Sequence, residues 1–201
     1  MADPVLTILL IVIAYLVGSI PSGFILGRLA GVDVRDAGSG NIGATNVARV
    51  LGKGRGLLTL LADTAKGFVP VFIGQRLGLS DAAVALVAIA AFLGHLYPVF
   101  LRFRGGKGVA TAFGALLALA PLATLIMIFI FGAAVLGSRR VSLGSMAAAL
   151  AAPIALWVFS YSVELVAMSA FLWVMITLRH RDNIKRLLAG TEPRFDVANS
   201  R

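Results

Sequence analysis

The sequence predicts an all-α integral membrane protein, and three observations support that prediction. Of its 201 residues, 59% are hydrophobic and only 13% are charged. The mean hydropathy is +0.95. A soluble domain is usually about 45–50% apolar and about 25% charged. Several apolar stretches are also long enough to cross the roughly 30 Å hydrocarbon core of a bilayer as helices.

Six apolar stretches of roughly spanning length follow one another along the chain. They lie near 5–27, 57–75, 82–101, 109–137, 142–161 and 163–178. The fourth stretch would form a helix of more than about 40 Å, which is too long for one span. Pro121 stands near its middle, where a helix should bend or end. We therefore predict two segments there, 109–119 and 121–137, and seven transmembrane helices in all. A single tilted fourth helix is the competing interpretation.

Basic residues favour seven spans and give them an orientation. Sixteen of the 18 Lys and Arg residues fall in four clusters, at 28–55, 102–108, 139–140 and after 178. Seven spans with the N-terminus outside place all four clusters in the cytoplasm, whereas six spans leave two of them on the wrong side. The positive-inside rule therefore predicts seven spans, a cytoplasmic C-terminus and glycine-rich loops on the cytoplasmic face.

Composition also excludes several kinds of site. The chain has a net charge of +9, two histidines and no cysteine. Disulfides, thiolate nucleophiles and cysteine-based metal sites are therefore excluded. The two histidines are far apart and neither lies in a metal-binding pattern, so we predict no metal and no cofactor. In so apolar a chain, anionic lipids and anionic substrates explain the positive charge better than nucleic acid does.

The first polar loop, "DAGSGNIGATNVAR" at 36–49, has three glycines at the spacing of a dinucleotide-binding loop. Its context excludes a dinucleotide fold, because a membrane helix precedes the loop where a strand is needed. The acidic residue 20 positions after Gly43 is Asp63, which lies inside a predicted span. The glycines nevertheless let backbone amides approach an anion closely.

Polar side chains after these glycines complete a candidate pocket. Thr45 or Asn46 is expected to cap a short helix, whose N-terminus would favour an anion. Arg49 lies four residues after Thr45 and three after Asn46, so all three are expected on one helix face. We interpret the loop as an oxyanion or phosphate pocket with Ser39 at its rim. A solvated cytoplasmic turn is the alternative.

The second polar loop, "FRGGKGVAT" at 103–111, places one cation between glycines just before a helix. The full spacing of a Walker A loop is absent. We predict that Lys107 contacts a ligand, whereas Arg102 and Arg104 belong to a basic loop at the membrane edge.

Polar residues inside or beside spans form the remaining candidates. Asp63 and Lys66 are three residues apart in the second span, so they can pair on one helix face. The pair is expected either to be purely structural or to support a site. His95, in the third span, is either functional or hydrogen-bonded between helices. His180 and Asn183 share a face after the last span, and Glu192 is expected to tie the tail to a basic loop.

Four motifs together resemble one known family. They are "GSIPSG" (18–23), "GSGNIGATN" (38–46), "GHLYPVFLRFRGGKGVAT" (94–111) and "RHRDNIKRLLAGTE" (179–192). In order and spacing they are similar to the bacterial acyl-phosphate:glycerol-3-phosphate acyltransferases, the PlsY family. The resemblance covers nearly the whole chain and implies a single membrane acyltransferase domain over residues 1–201. It also implies a bacterial inner-membrane location, with the active site at the cytoplasmic face.

The resemblance implies a reaction as well. A fatty acyl group would pass from acyl phosphate to the 1-hydroxyl of glycerol 3-phosphate. The products would be lysophosphatidic acid and inorganic phosphate, as the first acylation of phospholipid synthesis. The expected partners are therefore these two substrates and membrane lipids. The sequence does not indicate an oligomeric state.

The site residues follow from the motifs and the constellations above. Catalytic roles are expected for Ser39, Arg49, Lys107, His180 and Asn183. Contact with substrate or phosphate is expected for Gly38, Gly40, Asn41, Gly43, Thr45, Asn46, Gly105, Gly106, Gly108 and Ser145. A supporting role is expected for Asp63, Lys66, His95 and Glu192, the last as a structural anchor.

A mechanism follows from what the chain lacks. The H-x-x-x-x-D pattern of other glycerolipid acyltransferases is absent, because Phe100 and Lys185 stand five positions after the two histidines. We therefore expect direct attack by the substrate hydroxyl without an acyl-enzyme. The proton would go to His180 or to a substrate phosphate. The rival interpretations are an organic-phosphate transporter and a non-catalytic lipid-binding scaffold.

Overall fold

A computed structural model of the chain describes residues 4–194. These residues form ten α-helices and one short 3-10 helix, with no strand among them, which confirms the all-α prediction. They divide into two compact units, of which the first ends at Leu119 and the second begins at Ala120.

The first unit contains six α-helices. They are α1 (Pro4–Gly18), α2 (Ser22–Leu29), α3 (Ala44–Leu51), α4 (Lys53–Arg76), α5 (Asp81–Leu96) and α6 (Val109–Leu119), with the 3-10 helix Val99–Leu101 between the last two. The second unit contains α7 (Pro121–Ser138), α8 (Val141–Val158), α9 (Val163–Arg179) and α10 (Arg181–Leu188).

Glycines let the helices of the first unit pack backbone against backbone. A Cβ atom on Gly18 of α1 would overlap the Ala91 carbonyl oxygen of α5. A Cβ on Gly67 of α4 would overlap the Thr111 carbonyl oxygen of α6 in the same way. Small residues at such crossings are the usual means of close helix association in membranes, where the hydrophobic effect does not drive helices together.

The long apolar stretch 109–137 is broken where its proline predicts a break. α6 ends at Leu119 and α7 begins at Pro121, so the two predicted segments are two helices. Proline favours the first position of a helix, because its missing N–H would be unpaired there in any case. The break supports the two-segment interpretation over one tilted helix.

The first apolar stretch is predicted to be one span, and the helical stretch Pro4–Leu29 is long and apolar enough to be one, although a break divides it into two helices. α1 ends at Gly18 and α2 begins at Ser22, with Pro21 between them. Proline lacks an N–H, and its ring clashes with the carbonyl four residues earlier, so it interrupts a helix that hydropathy alone would continue.

Length and composition identify the helices that can cross a membrane. Within residues 4–194, five helical stretches qualify, or six if α9 and α10 form one span bent by 59°. α6 is apolar but has only 11 residues. The structure also adds α10, a short amphipathic helix in the basic tail, which the sequence analysis did not predict.

Candidate functional site

The first glycine-rich loop is organised from inside by Asn46. Its side-chain nitrogen donates to the backbone carbonyls of Val34, Ala37 and Asn41, at 2.9, 3.1 and 2.8 Å. Its Oδ1 accepts from the backbone N–H of Ser39 at 2.7 Å. Asn46 is only 2% exposed. A single buried amide therefore fixes the shape of the loop.

The expected capping of α3 is wrong. The helix begins at Ala44 with Gly43 as its N-cap, and no side chain caps it. Thr45 and Arg49 are exposed, whereas Asn46 is buried, so the three do not share one face. The reason is long-range: the loop carbonyls compete for the Asn46 side chain and turn it inward.

Two glycines of the loop have backbone conformations that favour glycine. Gly38 and Gly40 have φ of +62° and +68°. A Cβ on Gly38 would also overlap Oδ1 of Asn46. Oδ1 of Asn41 accepts from the Gly43 backbone N–H at 2.8 Å, which closes the turn. Successive amides in such left-handed turns form concavities that suit anions.

Both glycine-rich loops of the first unit rest on one apolar cluster. Val34, Ile42 and Val47 surround the first loop, and Leu101 comes from the 3-10 helix that leads into the second. All four side chains are buried. No local pattern in the sequence indicates this cluster, because Leu101 lies far along the chain from the other three residues.

The second loop is attached to the end of α5. The Gly105 N–H donates to the Leu96 carbonyl and the Gly106 N–H donates to the His95 carbonyl, each at 3.1 Å. Lys107 follows, half-buried, directly before α6. Arg102 and Arg104 are exposed, which fits a basic loop at the membrane edge.

The three supporting residues of the first unit lie together. Nζ of Lys66 is 3.0 Å from Oδ1 of Asp63, so the predicted pair is confirmed. Nδ1 of His95 lies 3.9 Å from the same oxygen. All three side chains are buried, at 5%, 2% and 4% exposure.

Among the candidates of the second unit, Glu192 and Asn183 lie together. Oε1 of Glu192 accepts from the Asn183 side-chain amide at 2.7 Å and from the Ser142 hydroxyl at 2.6 Å. Oε2 accepts from Nε of Arg186 at 2.7 Å. Glu192 therefore anchors the chain after α10 to α10 itself and to the start of α8. It was expected to tie the tail to a basic loop, and its cation, Arg186, instead comes from α10, the helix just before it.

The hydrogen bonds of Glu192 also set its ionisation. Burial raises the pKa of this carboxyl, but the hydrogen bonds from Ser142, Asn183 and Arg186 together lower it by more than burial raises it. The net pKa therefore lies below the usual 4.5. Hydrogen bonds donated to a carboxylate stabilise its charged form. Glu192 is therefore an anion at neutral pH.

The hydrogen bonding of His180 defines its tautomer. The residue links α9 to α10 and is 2% exposed. Its Nδ1 lies 2.8 Å from the Ile176 carbonyl oxygen. A carbonyl oxygen only accepts, so Nδ1 is the donor of this contact; when the ring is neutral, Nε2 is its accepting nitrogen. Ser145, in α8 of the same unit, is also buried, and its hydroxyl donates to the Val141 carbonyl at 2.9 Å.

Sequence reasoning missed two polar contributors to these networks, Ser142 and the Ile20 carbonyl that accepts from Lys66 at 2.9 Å. Ser142 follows Arg139 and Arg140 at the start of an apolar helix. A hydroxyl in the first turn of a spanning helix was the available signal. The sequence offers no comparable signal for a backbone carbonyl.

The sequence matches one known protein family along most of its length. The model of the family described as glycerol-3-phosphate acyltransferase matches residues 8–190. The chain is 50% identical over 188 residues to a glycerol-3-phosphate acyltransferase of Geobacter sulfurreducens, covering 94% of this chain and 97% of the relative. It is 44% identical to that of Aquifex aeolicus over 187 residues, covering 92% and 97%.

Solved structures agree with the sequence relatives. A crystal structure of PlsY (YgiH), an integral membrane glycerol 3-phosphate acyltransferase in its glycerol 3-phosphate form, matches with a TM-score of 0.92 and 43% identity. The match covers 94% of this chain and 96% of the other. The lysophosphatidic acid form of PlsY matches with a TM-score of 0.89 and 42% identity, covering 94% and 95%. This chain therefore belongs to the glycerol-3-phosphate acyltransferase family of integral membrane proteins.

Proposed function

We propose that the chain transfers a fatty acyl group from acyl phosphate to the 1-hydroxyl of glycerol 3-phosphate. The observation that carries this proposal is the match along 94% of the chain to a structure in its glycerol 3-phosphate form. Membership of the family supports acyl transfer to glycerol 3-phosphate. The choice of acyl phosphate as donor is supported by the motifs, and by the two cation-bearing glycine loops that two phosphate-bearing substrates would use.

In the first unit, the glycine-rich loops bind phosphate groups. Within residues 38–43, the N–H groups of Ser39, Gly40 and Gly43 are bonded inside the loop, and the remaining amides offer donors to an anion. The exposed Ser39 and Arg49 add a hydroxyl and a cation. Lys107 supplies a second cation between glycines. Asn46 and Asn41 act on the loop itself, since their side-chain oxygens accept from loop amides. Thr45 and Gly105, Gly106 and Gly108 complete the proposed binding set.

In the second unit, His180 and Asn183 act near the reacting hydroxyl and Ser145 contributes to phosphate binding. Nε2 of His180 can accept a proton in the neutral tautomer that the Ile176 contact favours. The Asn183 amide nitrogen donates to Glu192, so the carbonyl oxygen is the accepting atom at the other end of the amide. An accepting oxygen suits a hydroxyl donor such as the alcohol of glycerol 3-phosphate.

The reaction balances without an acyl-enzyme. The 1-hydroxyl oxygen bonds to the acyl carbon, the bond from that carbon to the phosphate oxygen breaks, and phosphate leaves with the electron pair. The hydroxyl proton passes to Nε2 of His180 or to a substrate phosphate. Lys107, Arg49 and loop amides stabilise negative charge on phosphate and on the developing oxyanion. Acyl phosphate is an activated mixed anhydride, so the chemistry needs less catalytic assistance than an ester would.

The whole chain is proposed to act as one domain with seven spans in a bacterial inner membrane, with its N-terminus outside and its C-terminus in the cytoplasm. The chain has no cysteine, so single cysteines can report this topology. In intact cells, a membrane-impermeant maleimide should label Leu77→Cys and should label Arg104→Cys only after permeabilisation. The reverse pattern would contradict the orientation.

The proposed activity is tested with purified protein in detergent, acyl phosphate and labelled glycerol 3-phosphate. We expect lysophosphatidic acid and inorganic phosphate in equal amounts. Detergent removes the two compartments that transport needs, so a transporter would form no product. A lipid-binding scaffold would form none either. Absence of lysophosphatidic acid at any enzyme concentration would overturn the proposal.

A further inference from the structure

A buried ion pair in the first unit calls for an explanation beyond helix packing. Asp63 and Lys66 lie within the apolar helix α4, and both are almost fully buried. Charges in the apolar interior of a membrane protein are costly even when they are paired. If the pair served only to hold α4 in place, two apolar residues could replace it with little loss of stability. The contacts outside α4 are therefore the informative ones.

Lys66 reaches the break between α1 and α2. Its Nζ donates to the Ile20 carbonyl at 2.9 Å while it is 3.0 Å from Oδ1 of Asp63. Ile20 immediately precedes Pro21, which cannot donate a backbone hydrogen bond. α2 then leads into the turn and the first glycine-rich loop. Lys66 thus fixes the point from which the chain approaches that loop.

Asp63 faces His95, and His95 carries the second loop. Nδ1 of the imidazole is 3.9 Å from Oδ1 of Asp63. Its Nε2 lies on the other side of the ring against Gly106, where an added Cβ would overlap it. The His95 carbonyl accepts the Gly106 N–H at 3.1 Å. The ring therefore fills the space between the buried carboxylate and the loop that bears Lys107.

We infer that Asp63, Lys66 and His95 form a positioning group that sets the two glycine-rich loops of the first unit relative to each other. The Asp63 carboxylate lies between Lys66, which donates to the Ile20 carbonyl just before α2, and His95, whose ring packs against Gly106 of the second loop. The three residues touch no substrate and act through the loops. This inference rests on the proposed function, because it concerns how phosphate is held in the reaction described above.

The decisive variant removes both charges together. Lys66→Met leaves the carboxylate without its cation, so its thermal midpoint in detergent should fall. Asp63→Asn combined with Lys66→Met removes both charges at nearly constant volume, and most of the midpoint should return. Loop misplacement remains in the double variant. We expect its kcat/KM to stay about 100-fold below that of the unchanged protein, mainly through higher KM for both substrates.

Two further variants keep the test interpretable. His95→Phe keeps a ring but removes both nitrogens and leaves the ion pair intact, and it should also raise KM. Thr59→Val is the matched control: Thr59 is buried in α4 and its hydroxyl donates only within that helix, to Arg55. Its KM values should not change.

The outcomes separate the two claims. If the unchanged protein makes no lysophosphatidic acid, the proposed function fails. If the unchanged protein is active, and both the double variant and His95→Phe have its KM values, the ion pair only balances charge and the inference is wrong. Should the double variant not fold, the KM values of His95→Phe decide the inference alone.

Discussion

The side-chain amide of Asn183 donates a 2.7 Å hydrogen bond to Oε1 of Glu192. A carboxylate only accepts, so this contact assigns the nitrogen of Asn183 to Glu192 and turns the carbonyl oxygen away from it. Glu192 is held in turn by Ser142 and Arg186. The orientation of a residue with an expected catalytic role is thus set by a carboxylate nine positions later in the chain.

An exchange of hydrogen-bonding groups tests that orientation. Asn183→Asp should place two carboxylates together, and Glu192→Gln should present an N–H to existing donors. Each change should lower the free energy of unfolding by about 2 kcal/mol. In the double variant the new amide donates to the new carboxylate, and the Ser142 hydroxyl can turn to accept. More than half of the lost stability should return in detergent unfolding curves; simply additive losses would contradict the assignment.

Glu192 also predicts a specific pH dependence of stability. The pKa of its carboxyl in the folded protein lies below the usual 4.5. Its contribution is therefore complete above about pH 4.5 and is lost as pH falls through the folded-state pKa. Thermal midpoints measured downward from pH 6 should fall less steeply below pH 4.5 in Glu192→Gln than in the unchanged protein. Identical slopes would show that another carboxyl causes the acid sensitivity.

Asn46 should be intolerant of its closest isostere. Aspartate cannot donate to the carbonyls of Val34, Ala37 and Asn41, so Asn46→Asp should cost about 3 kcal/mol of stability and distort the loop. The neighbouring exposed variant Thr45→Ala should change stability by no more than about 0.5 kcal/mol. Unfolding in detergent measures both. Equal stability of the two variants would mean that the loop does not depend on the buried amide.

Lys107 and His180 should differ in their effect on turnover. Lys107→Ala should lower kcat/KM by at least about 100-fold, because it removes a charge placed against phosphate in the transition state. The exposed Arg104 provides the matched cation, and Arg104→Ala should leave kcat/KM nearly unchanged.

His180→Ala should lower kcat by about 100- to 10,000-fold if the ring takes the proton. A much smaller loss, together with an inactive Lys107→Ala, would assign proton acceptance to a substrate phosphate.

Local patterns in the sequence predicted more of the molecule than its long-range contacts. The spacing of Asp63 and Lys66 predicted their pairing, and Pro121 predicted the break between α6 and α7. Pro21 carried the same signal and was outweighed by the hydropathy around it. The prediction that Asn46 shares a helix face with Thr45 and Arg49 was wrong, because its partners are loop carbonyls. The positions of those carbonyls depend on a core that includes Leu101. The Ser142–Glu192 contact spans 50 positions, and no local pattern reports it.

Release of inorganic phosphate from acyl phosphate, with and without glycerol 3-phosphate, tests the central claim most directly. If the substrate hydroxyl attacks the acyl group itself, phosphate release requires glycerol 3-phosphate and equals lysophosphatidic acid formation from the first turnover. A burst of phosphate equal to the enzyme concentration without glycerol 3-phosphate, together with acyl-labelled protein, would show an acyl-enzyme and contradict direct transfer.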